Sequence, residues 1–186
     1  MKYEDNQYYH VYNRGTNKGT LFYDHENYLH CLKLIKKYKS KYGVTIIAYC
    51  LMPNHYHLVL RQSENGLISR FLQTSFNAYV QALNKEVQRS GTLFESRAKG
   101  ILIDSDRYLF QVIRYVHLNP VLSGLVEKAE NWEFSDYRTW IGQNEPTMTD
   151  LELRNEHFEN GEEYKLSVEE FRIEQMKDEL LKYLID

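Results

Sequence analysis

The spacing of apolar and polar positions changes period several times along the chain, and each change marks an element. Tyr8 to Asn13 is aromatic and β-branched, the composition of a first strand. The polar, glycine-bracketed loop Arg14–Gly19 follows it. Asp24 stands where a helix N-cap belongs, and Tyr28, Leu29, Leu32, Ile35 and Tyr38 then recur at helical spacing until Gly43. Val44 to Leu51 reads as a central strand. Met52, Pro53 and Asn54 make a tight connection to a further strand, His55 to Arg61, so the two are expected to pair as a hairpin. Residues 67–88 are helical, with Leu67, Phe71, Leu72, Phe76, Tyr79, Val80 and Leu83 on the apolar face. Leu93 to Ile103 reads as a fourth strand, and Ser105 opens a third helix that runs to Leu118 before Pro120 closes it. Trp132, Phe134, Tyr137 and Trp140 are expected to wrap back on the domain. The order β-α-β-β-α-β-α predicts an α+β fold: an antiparallel sheet with helices packed on one face.

Charge divides the chain in two. Residues 1–144 hold 18 Lys and Arg against 13 Asp and Glu, whereas residues 145–186 hold 5 against 13. We therefore read a mildly basic domain over 1–144 and an acidic helical C-terminal tail over 145–186, with helical patterning from Val168 to Leu184. Composition alone makes that tail a solvated appendage. A basic body in a chain of 16 tyrosines suits a nucleic-acid partner, because cations answer phosphates and aromatic faces stack on bases. Cys31 and Cys50 lie in apolar surroundings, as reduced buried thiols do, and no zinc-ribbon spacing occurs. The first residues are charged and no apolar run approaches the length of a membrane span, so the expectation is a cytoplasmic protein without a membrane partner.

The candidate chemistry begins in the fourth of these elements. His55 and His57 are two apart on a strand, so their side chains project from one face while Tyr56 points to the other. Two adjacent imidazoles make half of a metal site, although a bare His-x-His is more often one exposed and one core histidine. A third ligand and a reactive group decide the matter. Tyr115 and Asn119 are four apart on the third helix and share a face. An ion held by His55, His57 and the Asn119 amide oxygen would polarise a phosphodiester for in-line attack by Tyr115. Read singly, Tyr115 is also an ordinary core tyrosine, and Asn119 before Pro120 an ordinary helix-end cap.

Taken together, the motifs resemble a known family. His-Tyr-His within Pro53 to Leu60 looks like the HUH motif of single-tyrosine, IS-element-type transposases. The chain is most similar to the branch called REP-associated tyrosine transposases. Tyr9 to Gly15 looks like that branch's opening strand, and Leu93 to Lys99 with Asp104 to Leu109 like the approach to its catalytic helix. Arg114 to Val121 resembles the nucleophile segment, and Trp132 to Tyr137 the aromatic closure; the likeness covers residues 8–142 in order. It implies a ferredoxin-like HUH nuclease fold and cleavage of single-stranded DNA beside a hairpin. Tyr115 would form a 5′-phosphotyrosine bond and free a 3′-OH, which later rejoins strands without a nucleotide cofactor. His55, His57 and Asn119 would hold Mg²⁺ or Mn²⁺, the last where better-known relatives place a glutamine. Arg14, Lys18, Arg97, Lys99 and Arg114 are the candidate DNA contacts, Arg97 and Lys99 sharing a strand face, and the protein would act as a monomer or homodimer.

Two features depart from the family pattern. No arginine follows the Asn-Pro-Val segment, where Val121-Leu-Ser-Gly124 stands, and the acidic tail matches none of the motifs. Three other function classes remain open at this level. A hairpin-DNA binding protein that no longer cuts would bind without an adduct. A water-using nuclease would survive Tyr115→Phe, and an RNA-binding ferredoxin-like domain would be indifferent to loss of His55 or His57.

Overall fold

The alternation read from the sequence closes into one four-stranded antiparallel sheet. In the computed structural model, which describes residues 2–171, β1 spans Tyr8–Arg14, α1 His25–Lys39, β2 Val44–Met52, β3 His55–Gln62, α2 Ile68–Glu86 and β4 Lys99–Ile103. The strand order is β2-β3-β1-β4, the ferredoxin-like arrangement of a β-α-β-β-α-β chain. The Asp24 side chain caps α1 by accepting from the Asn27 amide at 2.9 Å. Leu29 and Leu67 belong to the apolar faces by spacing but are exposed, while Cys31 and Leu34 are buried in α1.

Helices α1 and α2 pack on one face of the sheet, as the pattern predicts, and the third helix covers the other. Tyr9, Val11, Tyr56, Leu58 and Leu60 enter a core with α1 and α2. The opposite side chains of the same strands, including Val59, Cys50 and Met52, enter a second core under α3, Asp106–Leu122. A register shift between Ile46 and Ala48 in β2 puts Ile47 and Ala48 together in that second core. The third helix is too apolar to stand in solvent: eleven of its residues are buried.

Two boundaries differ from expectation for clear reasons. β4 begins at Lys99, not Leu93, because residues 93–98 leave the regular ladder and pair with the end of β1 through an isolated bridge from Phe94 to Gly15. α3 runs through Pro120 to Leu122, so Asn119 lies within the helix and does not cap it. Gly124, at φ 68°, ends the helix in the left-handed conformation glycine tolerates.

The acidic segment, as far as Phe171, is packed rather than solvated. Short helices α4 (Tyr137–Trp140), α5 (Glu152–His157) and α6 (Gly161–Glu169) lie in the second core through Trp140, Leu153, Tyr164, Val168 and Phe171. Leu51 donates its amide to the Phe134 carbonyl at 2.9 Å and Asp150 donates to Ile46 at 2.8 Å, which covers the outer edge of β2. The rest of the expected 168–184 helix lies outside the described residues.

Candidate active site

The sheet register builds one half of the site. Tyr12 of β1 lies opposite His57 of β3, His10 opposite Val59, and Arg14 opposite His55, so all these side chains share the face under α3. The same rows continue into Lys99 and Ile101 on β4 and into Cys50 and Met52 on β2. The turn at Pro53-Asn54 is held by the glycine-bracketed loop: the Gly15 amide donates to the Asn54 carbonyl at 2.8 Å. A side chain on Gly15 would put its Cβ 2.0 Å from the Gly19 carbonyl oxygen, so only glycine closes this loop.

α3 supplies the other half. Asn119 Oδ1 lies 3.0 Å from His55 Nε2. The Tyr115 ring meets His57 edge-on with centroids 5.4 Å apart, and it meets His10 at 6.4 Å. The four residues that the sequence singles out for chemistry thus converge, and all are buried. Tyr115 is 3% exposed.

The two histidines are neutral and differently tethered. Burial lowers the pKa of His55, with Arg14 adding to the effect and the Asn119 bond opposing it. Burial also holds His57 well below the ordinary histidine value, helped by its neighbours His10 and His55. His55 Nδ1 lies 2.7 Å from Asn54 Oδ1, and Asn54 is oriented by its own Nδ2 donating to the Lys18 carbonyl at 3.3 Å. A neutral His55 therefore carries its proton on Nδ1, and its Nε2 lone pair faces the Asn119 amide. His57 Nε2 is buried with no hydrogen-bond partner among the described residues.

This donor set fits a hard divalent ion. Two ligands at right angles on a metal, each at about 2.1 Å, are about 3 Å apart, which is the separation of His55 Nε2 and Asn119 Oδ1. His57 Nε2 supplies a third, unclaimed lone pair. Without an ion, rotation of the Asn119 amide lets its NH₂ donate to His55 instead. Among the described residues no group of three His, Cys, Asp or Glu side chains is placed to hold a metal. The third donor here is an amide oxygen, so the set leaves positions open for water or phosphate, unlike a closed structural zinc site.

The expected DNA contacts separate into two groups. Arg14 pairs with Glu95 at 3.2 Å beside His55. Lys18 lies in the loop whose carbonyl holds Asn54, and the Lys99 ammonium sits 5.9 Å over the Tyr12 ring, next to His57. These three border the histidines. Arg97 is exposed in the 93–98 loop rather than on the strand face with Lys99. Arg114 turns away from the site, donating to Ser167 Oγ at 3.2 Å and lying over the Phe110 ring. Consecutive helical residues are about 100° apart, so Arg114 and Tyr115 cannot share a face.

Two functional neighbours escape a reading by motif: His10, whose Nε2 is 2.9 Å from His57 Nδ1, and Asn54. Strand parity places His10 on the histidine face, but only the register shows which side chain it meets.

Comparison with known proteins supplies a family and a fold. The family model described as "Transposase IS200 like" matches residues 3–119. A curated protein of Haemophilus influenzae, described as a REP-associated tyrosine transposase, is 26% identical over 120 residues, covering 55% of this chain and 68% of its own length. A solved structure of a REP-associated tyrosine transposase bound to a REP hairpin superposes with a TM-score of 0.66 at 15% identity, over 81% of this chain and 94% of the other. That superposition establishes the fold.

Proposed function

This chain belongs to the IS200-like transposase family, and from that premise we propose that it cleaves and rejoins single-stranded DNA through a covalent bond to Tyr115. The observation that carries the reading is the convergence of Tyr115 and Asn119 from one helix onto His55 and His57 of one strand. The Tyr115 oxygen attacks a phosphorus atom in line with the bond to the 3′ oxygen. The P–O3′ bond breaks, the phenolic proton is given up, and the departing 3′ oxygen takes a proton to become 3′-OH. Attack by a 3′-OH on the phosphotyrosine reverses the step, so the bond energy is conserved and no nucleotide is consumed.

The chain's own groups prepare that step. The edge-on packing of Tyr115 against His57 fixes the direction of the phenol. His55, His57 and Asn119 are the residues that would hold Mg²⁺ or Mn²⁺. When bound, the ion supplies charge to polarise the phosphate and favour the phenolate over a phenol of ordinary pKa near 10. Lys99, Lys18 and Arg14 border this face and take the adjoining phosphates; for Arg14 this means exchanging Glu95 for the DNA backbone. Because the solved relative is bound to a REP hairpin, we take hairpin-forming repeats as the substrate class here as well.

The test is a denaturing gel of the full chain with labelled single-stranded hairpin DNA from the repeats flanking its gene, in Mn²⁺ or EDTA. A metal-dependent covalent band that is lost in Tyr115→Phe is the expected result. Binding without an adduct would move the reading to a hairpin-binding protein, and cleavage that survives Tyr115→Phe would make it a water-using nuclease.

A further inference from the structure

His57 is tethered by a residue that the chemistry above does not use. His10 and His57 sit diagonally across the β1–β3 ladder, with His10 Nε2 2.9 Å from His57 Nδ1 and the rings stacked at 5.1 Å and 21°. Both side chains are buried, and an apolar surrounding disfavours a charged imidazole on either side of the contact. Two neutral imidazoles facing each other share one proton at the contact.

Two arrangements satisfy that count. If His10 Nε2 donates, His57 carries its own proton on Nε2, a buried donor with no acceptor among the described residues, and no cation can relieve it. If His57 Nδ1 donates, His57 Nε2 is instead a bare lone pair, and the missing partner is what a metal ligand requires. Asn54 imposes the same tautomer on His55 from the other side.

We propose that His10 is a positioning residue: by accepting the Nδ1 proton of His57 it locks the tautomer that presents His57 Nε2 to a divalent ion. The proposal rests on the metal-dependent tyrosine reading, because the lone pair matters only if an ion uses it. His10 itself touches neither the ion nor DNA. Its contribution is to remove the wrong tautomer and the wrong ring rotation before the ion arrives.

The first measurement needs no variant and no metal. Long-range ¹H–¹⁵N spectra of the full, metal-free chain labelled at histidine should show His57 protonated at Nδ1 and bare at Nε2. Protonation at Nε2 would overturn the proposal outright. The second measurement is Mn²⁺ affinity, read from the free-ion paramagnetic resonance signal, for wild type, His10→Phe and His10→Gln. Phenylalanine keeps the ring but accepts nothing, so affinity should fall roughly 10–100-fold, as loss of an orienting partner does elsewhere. Glutamine places an amide oxygen near the Nε2 position and should restore most of it. A His10→Phe protein that keeps the wild-type melting temperature and binds Mn²⁺ as wild type does would sink the role of His10 alone. A wild type that binds no Mn²⁺ and forms no adduct would sink the underlying reading instead, so the two failures are distinguishable.

Discussion

Tyr164 belongs to the acidic segment by sequence and to the deep core by position, and Tyr164→Phe separates those two descriptions. The ring survives the substitution, and with it the packing on Trp140 at 4.7 Å between centroids. One hydroxyl is removed. His117 Nε2 donates to Asp136 Oδ1 at 3.0 Å, and His117 Nδ1 lies 2.6 Å from the Tyr164 hydroxyl, its hydrogen-bond partner on that side. Phenylalanine leaves that nitrogen, on a fully buried ring, without a partner, at a cost of about 1–3 kcal/mol. For a domain of this size each kcal/mol lowers Tm by about 2–4 °C, so a loss near 2 kcal/mol predicts a drop of roughly 4–8 °C. Calorimetric melts of the metal-free chain measure it directly. Tyr164→Ala also empties the ring's site and should cost about 3–5 kcal/mol. If both variants melt within about 1 °C of wild type, residues 148–171 are an appendage and the integrated second core is refuted.

Three further outcomes follow from the site. His55→Ala should abolish Mn²⁺ binding and the covalent adduct while hairpin binding persists, as titration of Mn²⁺ against the protein and gel shift in EDTA would show; an undiminished adduct would remove His55 from the metal set. Lys99→Ala should weaken hairpin binding and flatten its dependence on log[salt] by about 0.7, one single-strand phosphate contact, whereas Arg114→Ala should leave that slope unchanged and lower Tm through the lost Ser167 and Phe110 contacts. Acid should destabilise the metal-free protein through its buried histidines. The folded-state pKa of His10 is about 3 against an unfolded value near 6.5, so the unfolded chain binds the extra proton between those limits. Stability is complete above about pH 6.5 and falls towards pH 3, by about 2 kcal/mol already at pH 5 from His10 alone, with His55 and His57 shifted in the same sense. Urea midpoints that stay level between pH 7 and pH 5 would show these histidines to be solvated.

Much of the sheet was legible because period-2 alternation leaves little choice. Tyr56 and His57 had to face opposite sides, and the resemblance then named the partners on α3. What escaped the sequence was pairing between distant elements. His10 has a readable parity but an unreadable register. Arg114 is adjacent to Tyr115 in sequence, but the 100° step of the helix points it toward Ser167 and Phe110. Asn119 before Pro120 looks like a helix end. The helix continues because Pro120 gives up only the one amide bond back toward residue 116, while its buried ring stays in the apolar surface of α3. The acidic segment misled for a simpler reason: net charge averages over both faces, whereas Tyr164, Val168 and Phe171 form a buried stripe among exposed glutamates.

The two halves of the site are consequently supported by different parts of the molecule. His55 and His57 are fixed by the β1–β3 and β2–β3 ladders. Tyr115 and Asn119 are fixed by α3, which is pinned through His117 to Tyr164 and Asp136, and through Asp136 to the Tyr49 amide and Thr149. A disturbance in residues 148–171 therefore acts on the approach of tyrosine to histidine and leaves the histidine pair alone. Tyr164→Phe should slow adduct formation while His57 keeps its tautomer, and His10→Phe should change the tautomer while the bonds around His117 persist. Histidine spectra and single-turnover adduct rates on the two variants give opposite patterns if the support is divided in this way, and the same pattern if the site is held as one block.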